Sequence, residues 1–168
     1  MKRPNQLFTR GLVTGLFGAA AVAAWFFVLD FSDGHPFRTP AALGSALLFG
    51  VSRAEAMEVS VRVVAAYTFV HLVAFAAAGT VFVAIAEQIE RSSSLVLVTV
   101  PLAIALEAVA VTGLALGADW VLGALGVWSV LFANLLAVLS MGWYVWRTHP
   151  TLRHGSRTET GSASGSTL

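Results

Sequence analysis

Residues 11–29 read GLVTGLFGAAAVAAWFFVL, an apolar run without a single ionisable side chain. A helix needs about 20 such residues to cross the hydrocarbon core of a bilayer, which is about 30 Å thick. Three more long apolar runs follow at 61–86, 95–117 and 120–145. The sequence therefore predicts an all-α membrane protein built as a bundle of four transmembrane helices.

The composition supports this class and argues against others. The chain has 168 residues, of which 57% are hydrophobic and 11% charged, whereas soluble domains carry about 25% charged residues. The basic residues form no stripe that would follow a phosphate backbone, so we predict the lipid bilayer and no nucleic acid as a partner. The absence of cysteine excludes disulfides and thiolate metal sites. We predict no cofactor, no metal site and no catalytic residue.

The chain divides into a membrane domain and a tail. Residues 1–150 hold the four runs, and residues 151–168 are rich in Gly, Ser and Thr, which predicts a disordered cytoplasmic tail. Between the first two runs, Thr39 is suited to cap a short helix over 40–50, with Pro40 at its first position. That helix is too short to span a bilayer, so it is either interfacial or re-entrant.

The second long helix has a candidate start outside the bilayer. Ser52 and Glu55 have the spacing of a capping box, with serine at the cap and glutamate three residues later. We expect this helix to begin there and to run to about Glu90.

Lys and Arg residues are distributed unevenly between the two sides of the predicted bundle. One side holds seven and the other three, which predicts that both termini lie in the cytoplasm. The inner set is Lys2, Arg3, Arg10, Arg91, Arg147, Arg153 and Arg157, and the outer set is Arg38, Arg53 and Arg62.

The first helix carries a stripe of small residues. Gly11, Gly15 and Gly18 recur at spacings that place them on one helix face, and small residues there let two helix backbones approach closely in lipid. The stripe predicts a packing interface, either with the other helices of this chain or with a second copy.

Two ionisable side chains, His71 and Glu107, lie deep inside the apolar runs. His71 is nine residues from Arg62 and Glu107 ten from Gly117, which places both roughly 14–15 Å from the outer edge. Polar groups at one depth on consecutive helices favour pairing over contact with lipid. The pair is interpreted either as a structural hydrogen bond that sets helix register or as a proton, ion or ligand site.

Three other side chains are candidate neighbours of this pair: Tyr67 one turn from His71, and Trp128 and Asn134 on the fourth helix. A metal site is not indicated, since one histidine and one carboxylate fall short of the three protein ligands of a catalytic zinc. A second candidate is the polar outer loop, where Asp30 and His35 would meet a ligand at the membrane surface.

The stretches GLVTGLFGAAAVAAWFFVLD and GHPFRTPAALG, at 11–30 and 34–44, resemble the start of uncharacterised small integral membrane proteins of bacteria. The resemblance covers the first third of the chain and implies a bacterial inner-membrane setting, with no activity and no site residue. The sequence thus favours an accessory or structural subunit that packs in a homo- or hetero-oligomeric membrane assembly. The alternative is a small oligomeric permease or proton-coupled carrier using His71 and Glu107.

Overall fold

In a computed structural model, which describes residues 4–89 and 119–148, every regular element is helical. Residues 95–117, Glu107 among them, and the tail 151–168 lie outside the described residues. The elements are α1 (Pro4–Ser32), α2 (Arg38–Phe49), a single 3₁₀ turn (Ala54–Ala56), α3 (Val61–Ile89), α4 (Asp119–Leu125) and α5 (Val127–Thr148).

Three of these helices are long and apolar enough to cross a membrane: Gln6–Ser32, Val61–Gln88 and Val127–Thr148. They overlap the first, second and fourth apolar runs, so the expectation of a helical chain with segments long and apolar enough to cross a membrane is confirmed for the described residues. The third run, and with it the count of four spans, stays a prediction.

Helix α1 lies between α3 and α5 and runs antiparallel to both. Near its start Gly11 contacts Thr80 of α3, and further along Ala19 contacts His71. On its other side, Ser140 of α5 donates a hydrogen bond to the Phe17 carbonyl at 3.2 Å, and Trp25 donates to the Ser129 carbonyl, also at 3.2 Å. As a result α3 and α5 are parallel to each other, and the end of α3 and the start of α4 lie at opposite ends of the bundle.

The packing of α1 on α3 depends on missing side chains. A Cβ added to Gly11 would lie 2.5 Å from Thr80 Cα, and one added to Gly15 would collide with the Phe75 carbonyl. The reciprocal glycine is Gly79 of α3, where a Cβ would collide with the backbone of Gly11 and Gly15. These backbones approach closely because Gly11, Gly15 and Gly79 bring no side chain to the contact.

The fourth apolar run is divided, although the sequence predicted one continuous helix. Gly126 adopts a left-handed conformation, with φ of 75°, which glycine accepts without steric cost. The segment before it, α4, packs Val121 against Ala42 and Leu43 of α2. The break therefore lets α4 cover α2 while α5 turns along α1.

Two predicted helix starts are wrong. Helix α2 begins at Arg38, so Thr39 lies inside its first turn, and Phe37 at the cap position makes no side-chain hydrogen bond. Helix α3 begins at Val61 instead of Ser52. The residue that caps it is Ser60, whose hydroxyl accepts a hydrogen bond from the Val63 N–H at 3.4 Å.

Candidate functional site

A cavity of about 370 Å³ lies between the C-terminal half of α1, the start of α2 and the first turns of α3. Most of its wall is apolar, with Val22, Phe26 and Val64 among the contributors. We call it the His71 cavity. Its polar lining residues are Asp30, Thr39, Tyr67, Thr68 and His71.

Asp30 is the charged group of this wall, and it is buried at 6% exposure. One carboxylate oxygen accepts a hydrogen bond from the Thr39 N–H and the other from the Thr39 hydroxyl, both at 2.8 Å. Asp30 thus supplies from α1 the cap that Phe37 cannot supply to α2, and its negative charge suits the N-terminal end of a helix dipole. The pair ties the last turn of α1 to the first turn of α2.

His71 is half-buried and contacts α1. Its Nε2 lies 3.3 Å from the Ala19 carbonyl oxygen, and because a carbonyl only accepts, the neutral ring carries its proton on Nε2. That leaves Nδ1 as an acceptor. The ring lies between two aromatic neighbours, with centroid separations of 5.7 Å to Tyr67 and 4.7 Å to Phe75. The small side chain of Ala19, 2% exposed, permits this approach.

Tyr67 is held from the opposite side by α2. Gly44 lies against it so closely that an added Cβ would be 3.2 Å from Tyr67 Cβ and 2.8 Å from Val63 Cγ1. The Tyr67 hydroxyl has no hydrogen-bond partner within the described part of the chain. Every fully buried side-chain nitrogen or oxygen in that part is paired, so this hydroxyl is not fully buried, and the residue that carries it lines the cavity. Thr68 differs, because its hydroxyl donates to the Val64 carbonyl of its own helix at 2.7 Å.

A second, more polar cavity of about 180 Å³ adjoins the first at the α2 end of the bundle. Asp33, Arg38 and Trp120 contribute to its wall. Asp30 and Thr39 line both cavities. The Asp30–Thr39 pair therefore lies between the two cavities. One is the mostly apolar His71 cavity, and the other is the more polar cavity at the end of the bundle.

The sequence-predicted site residues are only partly brought together. Tyr67 and His71 share the His71 cavity, whereas Trp128 is 83% exposed on α5 and Asn134 is half-buried there, and neither lines that cavity. Because Glu107 lies outside the described residues, its pairing with His71 stays a prediction. Gly11, Gly15 and Gly18 face α3, with Gly18 also near Met141 of α5.

The outer-loop site looks different from what was expected. His35 is exposed and its Nδ1 lies 2.8 Å from the Asp33 carbonyl, while the Asp30 carboxylate points into the bundle toward Thr39. The two side chains therefore do not form one site. Within 4–89 and 119–148, no group of three His, Cys, Asp or Glu side chains is placed to hold a metal ion.

Sequence reasoning missed two features of the site. The Asp30–Thr39 pair joins residues nine positions apart on two helices, and their spacing along the sequence gives no signal that the side chains meet. Gly79 was also missed as the partner of the α1 stripe. Its signal was available, since it is the single glycine of α3.

No protein family, no curated protein and no solved structure matches this chain.

Proposed function

We propose that this chain is a non-catalytic integral membrane protein, an accessory or structural subunit that packs against other membrane proteins or its own copies. The observation that carries the proposal is the fraction of each long helix that is buried within the chain, which is small for α3 and α5. Of the most apolar stretch of each helix, 33% is buried within the chain for α1, 11% for α3 and 17% for α5. Most residues in these stretches of α3 and α5 are thus at least partly exposed, where lipid or partner helices would cover them.

The described geometry supports a fourth span in the run 95–117. Ile89 ends α3 at one end of the bundle, and Asp119 begins α4 at the other. Chain segment 90–118 has to connect these two ends, and it contains an apolar run with the ~20 residues that a transmembrane helix needs. We place the protein in the bacterial cytoplasmic membrane with both termini in the cytoplasm.

Photo-crosslinking in the native membrane tests the subunit proposal. A photoreactive amino acid at Val73 of α3 or Val138 of α5, which are 53% and 49% exposed, should give adducts heavier than the single chain. The matched control is Met141 of α5, 5% exposed and packed against α1, which should crosslink within the chain. If both exposed positions label only lipid while the protein remains a single chain by native mass measurement, the proposal fails.

A second candidate, the small proton-coupled carrier, is favoured by one observation, the position of His71 on a cavity. A carrier would move protons into vesicles that contain the purified protein, and a pH-sensitive dye trapped inside would report it. His71→Leu should abolish this flux if His71 carries the proton. Equal flux in empty vesicles and in vesicles with the wild-type protein would exclude the carrier.

A further inference from the structure

We propose that the His71 cavity binds a neutral, lipid-soluble molecule with an apolar body and one hydroxyl headgroup, which hydrogen-bonds to Tyr67 and His71. This inference does not depend on whether the protein acts as a subunit or as a carrier. It rests on the size of the cavity, the position of its mouth and the polar atoms that it presents.

The size and lining fit a small apolar molecule. The cavity holds about 370 Å³, at the lower end of the roughly 300–1,000 Å³ typical of ligand pockets, which are mostly apolar with a few polar groups. Side chains around an empty apolar void lose their dispersion contacts on that side. An apolar occupant would restore these contacts for Val22, Phe26 and Val64.

The mouth faces the side of the bundle. Five of the lining residues are exposed and mark its opening: Ala23, Ala24, Phe27, Phe37 and Thr68. All of these except Phe37 lie within the helix segments that are long and apolar enough to cross a membrane. A ligand therefore enters from the hydrocarbon region of the bilayer, which selects molecules that dissolve in lipid.

The polar atoms select a hydroxyl headgroup. Tyr67 offers a hydroxyl without a partner in the described part, and His71 offers Nδ1 as an acceptor because its Nε2–H faces Ala19. A ligand hydroxyl accepts a hydrogen bond from the Tyr67 hydroxyl and donates one to His71 Nδ1. An anion would be repelled by Asp30. A cation would be attracted by Asp30, although each of its oxygens already accepts a hydrogen bond from Thr39, so a charged amine is the competing ligand.

The test uses the full chain in phosphatidylcholine vesicles and a photoreactive probe, an octanol carrying a diazirine. Peptide mapping should place its adducts on cavity residues such as Val64, and excess octanol should reduce them. Two matched probes serve as controls. One is the same diazirine-bearing alkyl group without the hydroxyl, and the other carries an amine in place of the hydroxyl. Equal labelling of the cavity by the hydroxyl-free probe would overturn the headgroup assignment, and stronger labelling by the amine would reassign the site to cations.

Variants test the individual groups. Tyr67→Phe removes an oxygen that has no partner in the described part, so the fold should persist while cavity labelling by the octanol probe falls roughly fivefold, as for one lost hydrogen bond. Ala24→Phe, or Ala23→Phe if the first variant is unstable, should block the mouth and abolish labelling. Val73→Phe, at an exposed position of α3 that does not line the cavity, is the control and should leave labelling unchanged. Unchanged labelling in a stable Tyr67→Phe protein would overturn the proposal.

Discussion

At the scale of single residues, one of the two ring nitrogens of His71 already has a partner within the described part of the chain. Its Nε2 is directed to the Ala19 carbonyl, so Nδ1 is the nitrogen left for any other partner. A neutral ring with its proton on Nε2 accepts a hydrogen bond only from a protonated Glu107, whereas a charged ring pairs with the carboxylate. Glu107 and a ligand hydroxyl are therefore alternatives for one atom.

A double-mutant cycle measures whether His71 and Glu107 interact. We expect His71→Leu and Glu107→Leu each to destabilise the protein, because each leaves a polar partner unpaired, and the double variant to lose less than the sum. The expected coupling is roughly 0.5–3 kcal/mol, read from thermal unfolding in detergent without added ligand. Additive losses would argue against contact and would leave Nδ1 open to the cavity.

At the scale of elements, two contacts fix how the helices pack: the close approach of the α1 and α3 backbones, and the buried carboxylate of Asp30. Gly11 and Gly15 bring α1 against Gly79 of α3, while Asp30 at the end of α1 caps α2. The first contact depends on side chains that are absent and the second on one charged side chain. Substitutions should affect them in different ways.

Gly15→Leu should separate α1 from α3, because even a Cβ at this position collides with the Phe75 carbonyl. We expect a destabilisation of about 1–3 kcal/mol, typical of overpacking, measured by thermal unfolding in detergent. Ala20→Leu introduces the same side chain at an exposed position of α1 and should have little effect. Equal stability of the two variants would show that the helices do not pack through the glycine stripe.

Asp30→Ala should lower stability by about 1–2 kcal/mol, the usual effect of losing a helix cap, since the Thr39 N–H and hydroxyl then lose their acceptors. Asp30→Asn should lose less, because its amide oxygen still accepts from the Thr39 N–H. The control is Asp33→Ala, where the side chain is exposed. The prediction fails if the unfolding temperatures of the Asp30 and Asp33 variants coincide.

At the scale of the whole molecule, the basic residues divide between the two ends of the bundle. Arg10 near the start of α1 and Arg147 near the end of α5 lie at one end, because these helices are antiparallel. Arg38, Arg53 and Arg62 lie at the other. The sequence-based prediction assigns five further basic residues, all outside the described part, to the first group, for a total of seven.

The seven-to-three distribution predicts that the Arg10 end faces the cytoplasm. A reporter that is active only in the cytoplasm should work when fused after Leu168 and fail when fused after Gly50 in a truncated chain. A reporter active only in the periplasm should show the reverse pattern at both positions. If the periplasmic reporter is active after Leu168, the orientation is inverted.

The sequence by itself determined that the described chain is helical and contains three helices long and apolar enough to cross a membrane, because apolar length is a local property of the sequence. It also singled out His71 and the α1 glycines, since charge and small size are unusual in such runs. The tertiary structure alone decided what these residues meet. The pairing of Asp30 with Thr39, the contact of Gly79 with the stripe, the break at Gly126 and the cavity beside Tyr67 all arise where separate helices come together. Such contacts depend on how each helix is rotated about its axis and at what angle it crosses its neighbours. The sequence does not specify either, because these helices are apolar on all sides.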